Sequence, residues 1–82
     1  MLGRVVLSKA GKDSGSFYVI TAEEEDFAYI ADGRLRKIEK PKRKRKKHLA
    51  PTKTVLAPEN YETNASLRAA LAKFNPTNEG GN

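Results

Sequence analysis

The chain contains no cysteine, which excludes disulfide staples and thiolate metal sites. Its single histidine, His48, cannot hold zinc without help from carboxylates, and no metal-ligand spacing surrounds it. No segment approaches the roughly 20 apolar residues of a membrane span, and the first residues lack the apolar stretch of a signal peptide. Also missing are a nucleophile with a matching base and a glycine fingerprint before a helix. The expectation is a soluble, cytoplasmic, non-catalytic protein with no cofactor, no metal, no small-molecule substrate and no membrane partner. At 82 residues the chain suffices for one small domain, which buries only about 60% of its unfolded surface.

What the sequence has is positive charge in one place. Residues 40–47 read Lys-Pro-Lys-Arg-Lys-Arg-Lys-Lys, seven cations in eight positions. Residues 1–33 carry net −3 and residues 34–53 net +10, within an overall +6. A block of like charge is either a solvated face or a surface for a polyanion.

Residues 2–8, 16–22 and 27–31 are rich in Val, Ile, Phe and Tyr between turn formers and read as three strands. Residues 9–15, with Gly11 and Gly15, connect the first two, and the acidic residues 23–26 make the next turn, read as a solvated tip. Asp32-Gly33 reads as a two-residue type I′ hairpin turn, with Ile30 opposite Leu35 and Phe27 opposite Ile38. Pro41 ends that fourth strand near Lys40, and residues 48–50 return as a short fifth. The basic residues 42–47 would then form a loop tethered at both ends. Five close-spaced strands suit a small antiparallel barrel over residues 1–52, because closure removes unprotected edges. Residues 53–63 read as a linker. Residues 64–74 read as a short amphipathic helix, with Leu67, Leu71 and Phe74 on one stripe, a cap at Thr63 or Asn64 and a stop at Asn75-Pro76. Residues 75–82 read as a disordered tail.

Residues 3–20, with Gly11 at the centre, resemble the KOW motif, a strand-loop-strand with a central glycine. The continuation through residues 30–42, followed by His48-Leu49, extends the likeness over residues 2–52. The chain resembles the bacterial stand-alone KOW-domain proteins grouped with KOW-containing large-subunit ribosomal proteins of archaea and eukaryotes. That resemblance implies an SH3-like barrel binding RNA through the loop at Gly11 and through basic strands, with ribosomal RNA or the ribosome as partner. Transcription elongation factors such as NusG also carry KOW domains, so the motif alone does not select ribosomal RNA.

The candidate RNA-binding residues are Lys9, Gly11, Lys12, Arg34, Arg36, Lys37, Lys40, Lys42, Arg43, Lys44, Arg45, Lys46, Lys47 and His48. Each has a plainer alternative. Lys9 and Lys12 are also ordinary turn residues, and Gly11 serves backbone geometry or close approach to a phosphate. Arg34, Arg36 and Lys37 read equally as solvent-facing strand residues, with the two arginines on one face. His48 is a polar strand residue or a phosphate contact. Phe17 and Phe27 are assigned to the core, while Tyr18 and Tyr29 are the candidates for base stacking. Leu67, Leu71 and Phe74 suit either docking on the barrel or capture of a protein partner. The second function class is an adaptor or transcription-elongation-type KOW module that engages a polymerase or ribosomal protein through the barrel face or this helix.

Overall fold

The structure is a computed structural model that describes residues 1–75. It is mainly β: strands β1 (Arg4–Ser8), β2 (Phe17–Glu23), β3 (Phe27–Ala31), β4 (Lys42–Arg45) and β5 (Leu49–Val55) precede one helix, α1 (Asn64–Leu71). The strands form one antiparallel sheet in the order β4-β3-β2-β1-β5. The sheet is barrel-like but not closed, since β4 and β5 are its two edges. Charged side chains along β4 and a proline within β5, Pro51, both discourage pairing with another chain.

Alternation along the strands divides the apolar residues between two cores. Val6, Tyr18, Ile20, Ala28, Ile30 and Leu49 pack on one face of the sheet. Val5, Val19 and Ala31 lie on the other, where Leu67 and Leu71 of α1 cover them. Both leucines are fully buried, at 0% and 2% exposure, and each stabilises the fold by about 2 kcal/mol through burial. This answers the sequence-based alternative for the helix: α1 docks on its own sheet. Leu67 and Leu71 are therefore not presented to a protein partner, and Phe74 sits half-buried beside Phe17, with ring centroids 5.4 Å apart.

The helix begins as the sequence indicates. Thr63 is the N-cap, accepting from the Ser66 amide at 3.0 Å while its own amide donates to the Ser66 hydroxyl at 3.2 Å. At the other end the Asn75 side chain meets both backbone groups of Phe17, each at 2.8 Å, so it replaces a missing strand partner at the start of β2.

Three expectations are corrected. Asp32-Gly33 does not make a two-residue hairpin. The Asp32 carboxylate accepts from the backbone amides of Arg34 and Arg36, both at 2.9 Å, and only Gly33 takes a positive φ, 81°. The side chain supplies a turn of its own, and residues 32–41 become a long loop held against α1. Arg68 donates to the Gly33 carbonyl at 2.8 Å and the Ile38 amide donates to Asn64 Oδ1 at 2.8 Å. Leu35, expected opposite Ile30, is 85% exposed.

Second, the fourth strand is the basic run itself. Phe27 pairs with Arg45, Ala28 with Lys44, Tyr29 with Arg43 and Ile30 with Lys42. Third, β5 continues through Pro51 to Val55, into the stretch read as linker. A bulge between Arg4 and Val6 accommodates it, with the Thr52 hydroxyl donating to the Val5 carbonyl at 2.8 Å. Of the expected disordered tail, residues 76–82 lie outside the described residues, whereas Asn75 is ordered by its two bonds to Phe17.

Candidate nucleic-acid interface

Because β4 is a strand, its four cations alternate between two environments. Lys42 and Lys44 share the side of Ile30 and Ala28, whereas Arg43 and Arg45 share the side of Tyr29 and Phe27.

Lys44 goes inside. Its side chain is 9% exposed, and its ammonium donates to the Ala10 carbonyl at 2.6 Å and to Asp13 Oδ2 at 3.4 Å. Asp13 also receives Arg36, with Nη2 3.4 Å from Oδ1. Burial works to raise the Asp13 pKa, but Arg36 and the Lys44 hydrogen bond outweigh it and hold the carboxyl below its ordinary value. Lys44 and Arg36 thus fasten the glycine loop to β4 and to the loop of residues 32–41 that precedes it. Lys44, at 9% exposure, is not placed to meet a phosphate, whereas Arg36 remains 34% exposed while it leans on Asp13.

Tyr18 is also removed as a stacking residue. It is 3% exposed in the first core, with its hydroxyl 3.5 Å from Asp13. Burial first, then the charges of Asp13 and Asp32, push its phenol up to about 12.

The acidic turn does more than the sequence indicates. All four residues are exposed to solvent, as the sequence reading has it, and two of them also supply counter-charge to the basic strand. Glu24 accepts from Arg43 at 3.2 Å (Nε) and 2.9 Å (Nη2) and from the Tyr29 hydroxyl at 2.9 Å. These bonds hold its pKa below the usual carboxylate value, Arg43 contributing most. Glu23 pairs with Lys46 at 3.0 Å, and the Lys46 amide donates to the Asp26 carbonyl at 2.9 Å. The antiparallel register that sets Phe27 beside Arg45 brings residues 23–26 to residues 43–46.

Among the described residues no carboxylate lies within ion-pair distance of Lys9, Lys12, Lys37, Lys40, Lys42, Arg45 or Lys47, although Lys37 acts on Glu39 through space and Arg45 stands over Phe27. Arg34 is exposed on the loop with Lys37 and Lys40. The Lys9 amide donates to the His48 carbonyl at 2.8 Å, so the glycine loop adjoins the turn Lys46–His48. Lys9, Lys47 and half-buried His48 are thereby neighbours at one end of β4, with Lys40 and Lys42 at its start. Gly11 is exposed with φ 77°, a conformation that favours glycine, and its missing Cβ faces the Lys44 ammonium at 3.4 Å. Its demonstrated part is backbone geometry.

Sequence reasoning missed the surface role of Phe27. Arg43 Cζ lies 3.6 Å and Arg45 Cζ 4.8 Å from its ring centroid, so the ring carries two guanidinium groups instead of filling the core. The signal available was positional: in an antiparallel pair the residue after an acidic turn meets the end of the basic strand.

A cavity of about 450 Å³ opens beside β5, with Val6, Ile20 and Leu49 on its floor and Arg4, Lys46 and Lys53 at its edge. No helix among the described residues is long and apolar enough to cross a membrane. Compared with known proteins, the chain matches no protein-family model and no curated protein.

Proposed function

We propose that this chain is a non-catalytic, cytoplasmic RNA-binding protein built on a KOW-type, SH3-like barrel and associated with ribosomal RNA. The observation that carries the reading is the row of unpaired cations along one edge of the sheet. It comprises Lys40 and Lys42 at the start of β4, Arg45 on the opposite face of that strand and Lys47 just beyond it, with the Lys9 backbone adjoining through the His48 carbonyl. Intramolecular pairing engages Lys44, Arg36 and Lys46, and Arg45 rests on the Phe27 ring, yet among the described residues Lys40, Lys42 and Lys47 have no carboxylate within ion-pair distance. A polyanion of regular phosphate spacing fits a row of cations better than a single acidic side chain does, and such contacts fix position without reading sequence.

Burial of Leu67 and Leu71 removes the surface on which a helix-mediated adaptor would depend. RNA binding through the β4 edge requires no further partner.

Filter binding of a structured ribosomal RNA fragment across a salt series tests the proposal. Neutralisation of about four to five phosphates gives a log–log slope of about −3 to −4.5. Replacing Arg45 and Lys47 together by serine should reduce that slope by about 1 to 2, one unit per lost phosphate contact. A flat salt response, or unchanged affinity in the double variant, would sink the proposal.

A further inference from the structure

Arg43 differs from every other cation of the basic strand in how its donors are spent. Its Nε and Nη2 are both turned onto Glu24 Oε1, so the edge that would grip a phosphate is already occupied. Its Cζ stands 3.6 Å from the Phe27 centroid, a van der Waals distance that a guanidinium reaches only by lying flat over the ring. Tyr29, directly across the strand pair, donates its hydroxyl to the other oxygen of the same Glu24 carboxylate. One carboxylate therefore clamps both the arginine and the tyrosine, and one phenyl ring supports the arginine from beneath. Even so, the Arg43 side chain is 50% exposed. With one face on Phe27 and one edge on Glu24, the outer face of the guanidinium and its remaining edge are the parts that these contacts leave uncovered.

We infer that Arg43, held flat between Phe27 and Glu24, is a stacking platform for an unpaired RNA base, with Arg45 and Lys47 beside it taking the adjoining phosphates. The inference rests on the RNA-binding reading above and narrows it to RNA with accessible, unstacked bases. A planar cation recognises the π-face that every base presents, and contacts with Glu24 and Phe27 that already orient it lower the ordering cost. Charge complementarity names the occupant: a neutral aromatic ligand would leave Arg45 and Lys47 unused, whereas a nucleotide engages ring and phosphate together. A base inside a duplex keeps its π-faces covered, so the platform selects single strands, loops and bulges.

The test uses the full chain with a single-stranded oligoribonucleotide carrying 2-aminopurine, whose fluorescence falls on stacking, and a duplex of the same length. The parent protein should quench the probe and prefer the single strand. Arg43→Lys keeps the charge and removes the plane: affinity for the single strand should fall about tenfold, quenching should disappear, and the salt slope should stay unchanged. Phe27→Leu, checked for folding by circular dichroism, should weaken binding in the same direction by removing the support. Binding without quenching, or an Arg43→Lys variant that binds and quenches like the parent, overturns the platform while leaving RNA binding intact. Failure to bind either RNA overturns both.

Discussion

Lys44 and Asp13 meet 3.4 Å apart at the edge of the sheet, joining the middle of the most basic segment to the glycine loop 31 residues earlier in the chain. The pair is nearly withdrawn from water, at 9% and 10% exposure, and Arg36 completes it from the second loop. Removing one member of such a group costs according to what is left behind. Asp13→Asn leaves two cations facing each other and should cost about 3 kcal/mol, a large part of the roughly 4–12 kcal/mol that a domain of this length holds. Lys44→Met leaves Asp13 with Arg36 still in place and should cost about 1 kcal/mol or less. Urea unfolding of the two variants checks the order; equal losses would mean that the lysine charge is solvated rather than dependent on Asp13.

The same group sets the response to acid. Asp13 is held below its ordinary value of 3.8, so the unfolded chain takes up its proton first as the pH falls. Its contribution is complete above that ordinary value and is lost as the pH drops through the lower folded pKa. Glu24, held down by Arg43 and Tyr29, acts in the same direction from a more exposed position. Thermal unfolding should therefore show a midpoint that declines below about pH 4, and Asp13→Asn should flatten part of that decline. A midpoint independent of pH in this range would show that the carboxylate gains nothing from its partners.

Gly33 couples the long loop to the helix. A Cβ there would stand 2.5 Å from the Asn64 carbonyl oxygen and 3.2 Å from Arg68 Cγ, and φ is already +81°. Gly33→Ala should cost about 1–3 kcal/mol through backbone strain and displacement of the first turn of α1. Leu67→Ala, which empties a fully buried site on the sheet, should cost about 2–5 kcal/mol. Both should raise amide exchange across α1 and loop 32–41 together. Exchange that rises in the helix alone would argue that the loop is held by its own Asp32 bonds.

Legibility followed the kind of interaction involved. Strands β1 to β3 are readable because Val, Ile, Phe and Tyr alternate between two buried faces, and α1 because Thr63 caps a stripe containing Leu67 and Leu71. Strand β4 carries no apolar signal: Lys-Arg-Lys-Arg is a strand because β3 offers it a ladder, and Ala10, Asp13, Phe27 and Glu24 receive its side chains. Local turn chemistry at Asp32-Gly33 points correctly to a turn and wrongly to its type, because the contacts that choose between them come from Asn64 and Arg68. The candidate site was located by charge, but its division into buried, paired and unpaired cations depends on partners such as Glu24, 19 residues from Arg43.

Tyr18 gives a second, opposite pH limit. Its phenol is pushed from 10.0 to about 12 in the folded chain, first by burial and then by Asp13 and Asp32. Between these values the unfolded state has lost the proton that the folded state retains, so stability falls as the pH rises through this interval. A shift of about two units corresponds to about 3 kcal/mol across the full interval. Alkaline unfolding followed by circular dichroism should show this loss beginning near pH 10, and the ultraviolet absorbance of tyrosinate should show one tyrosine ionising only as the chain unfolds. Tyr18→Phe keeps the ring in the core and removes the ionisation, so its alkaline limb should be displaced upward while its neutral stability changes little. An unchanged limb in that variant would show that ionisation of Tyr18 does not drive alkaline unfolding.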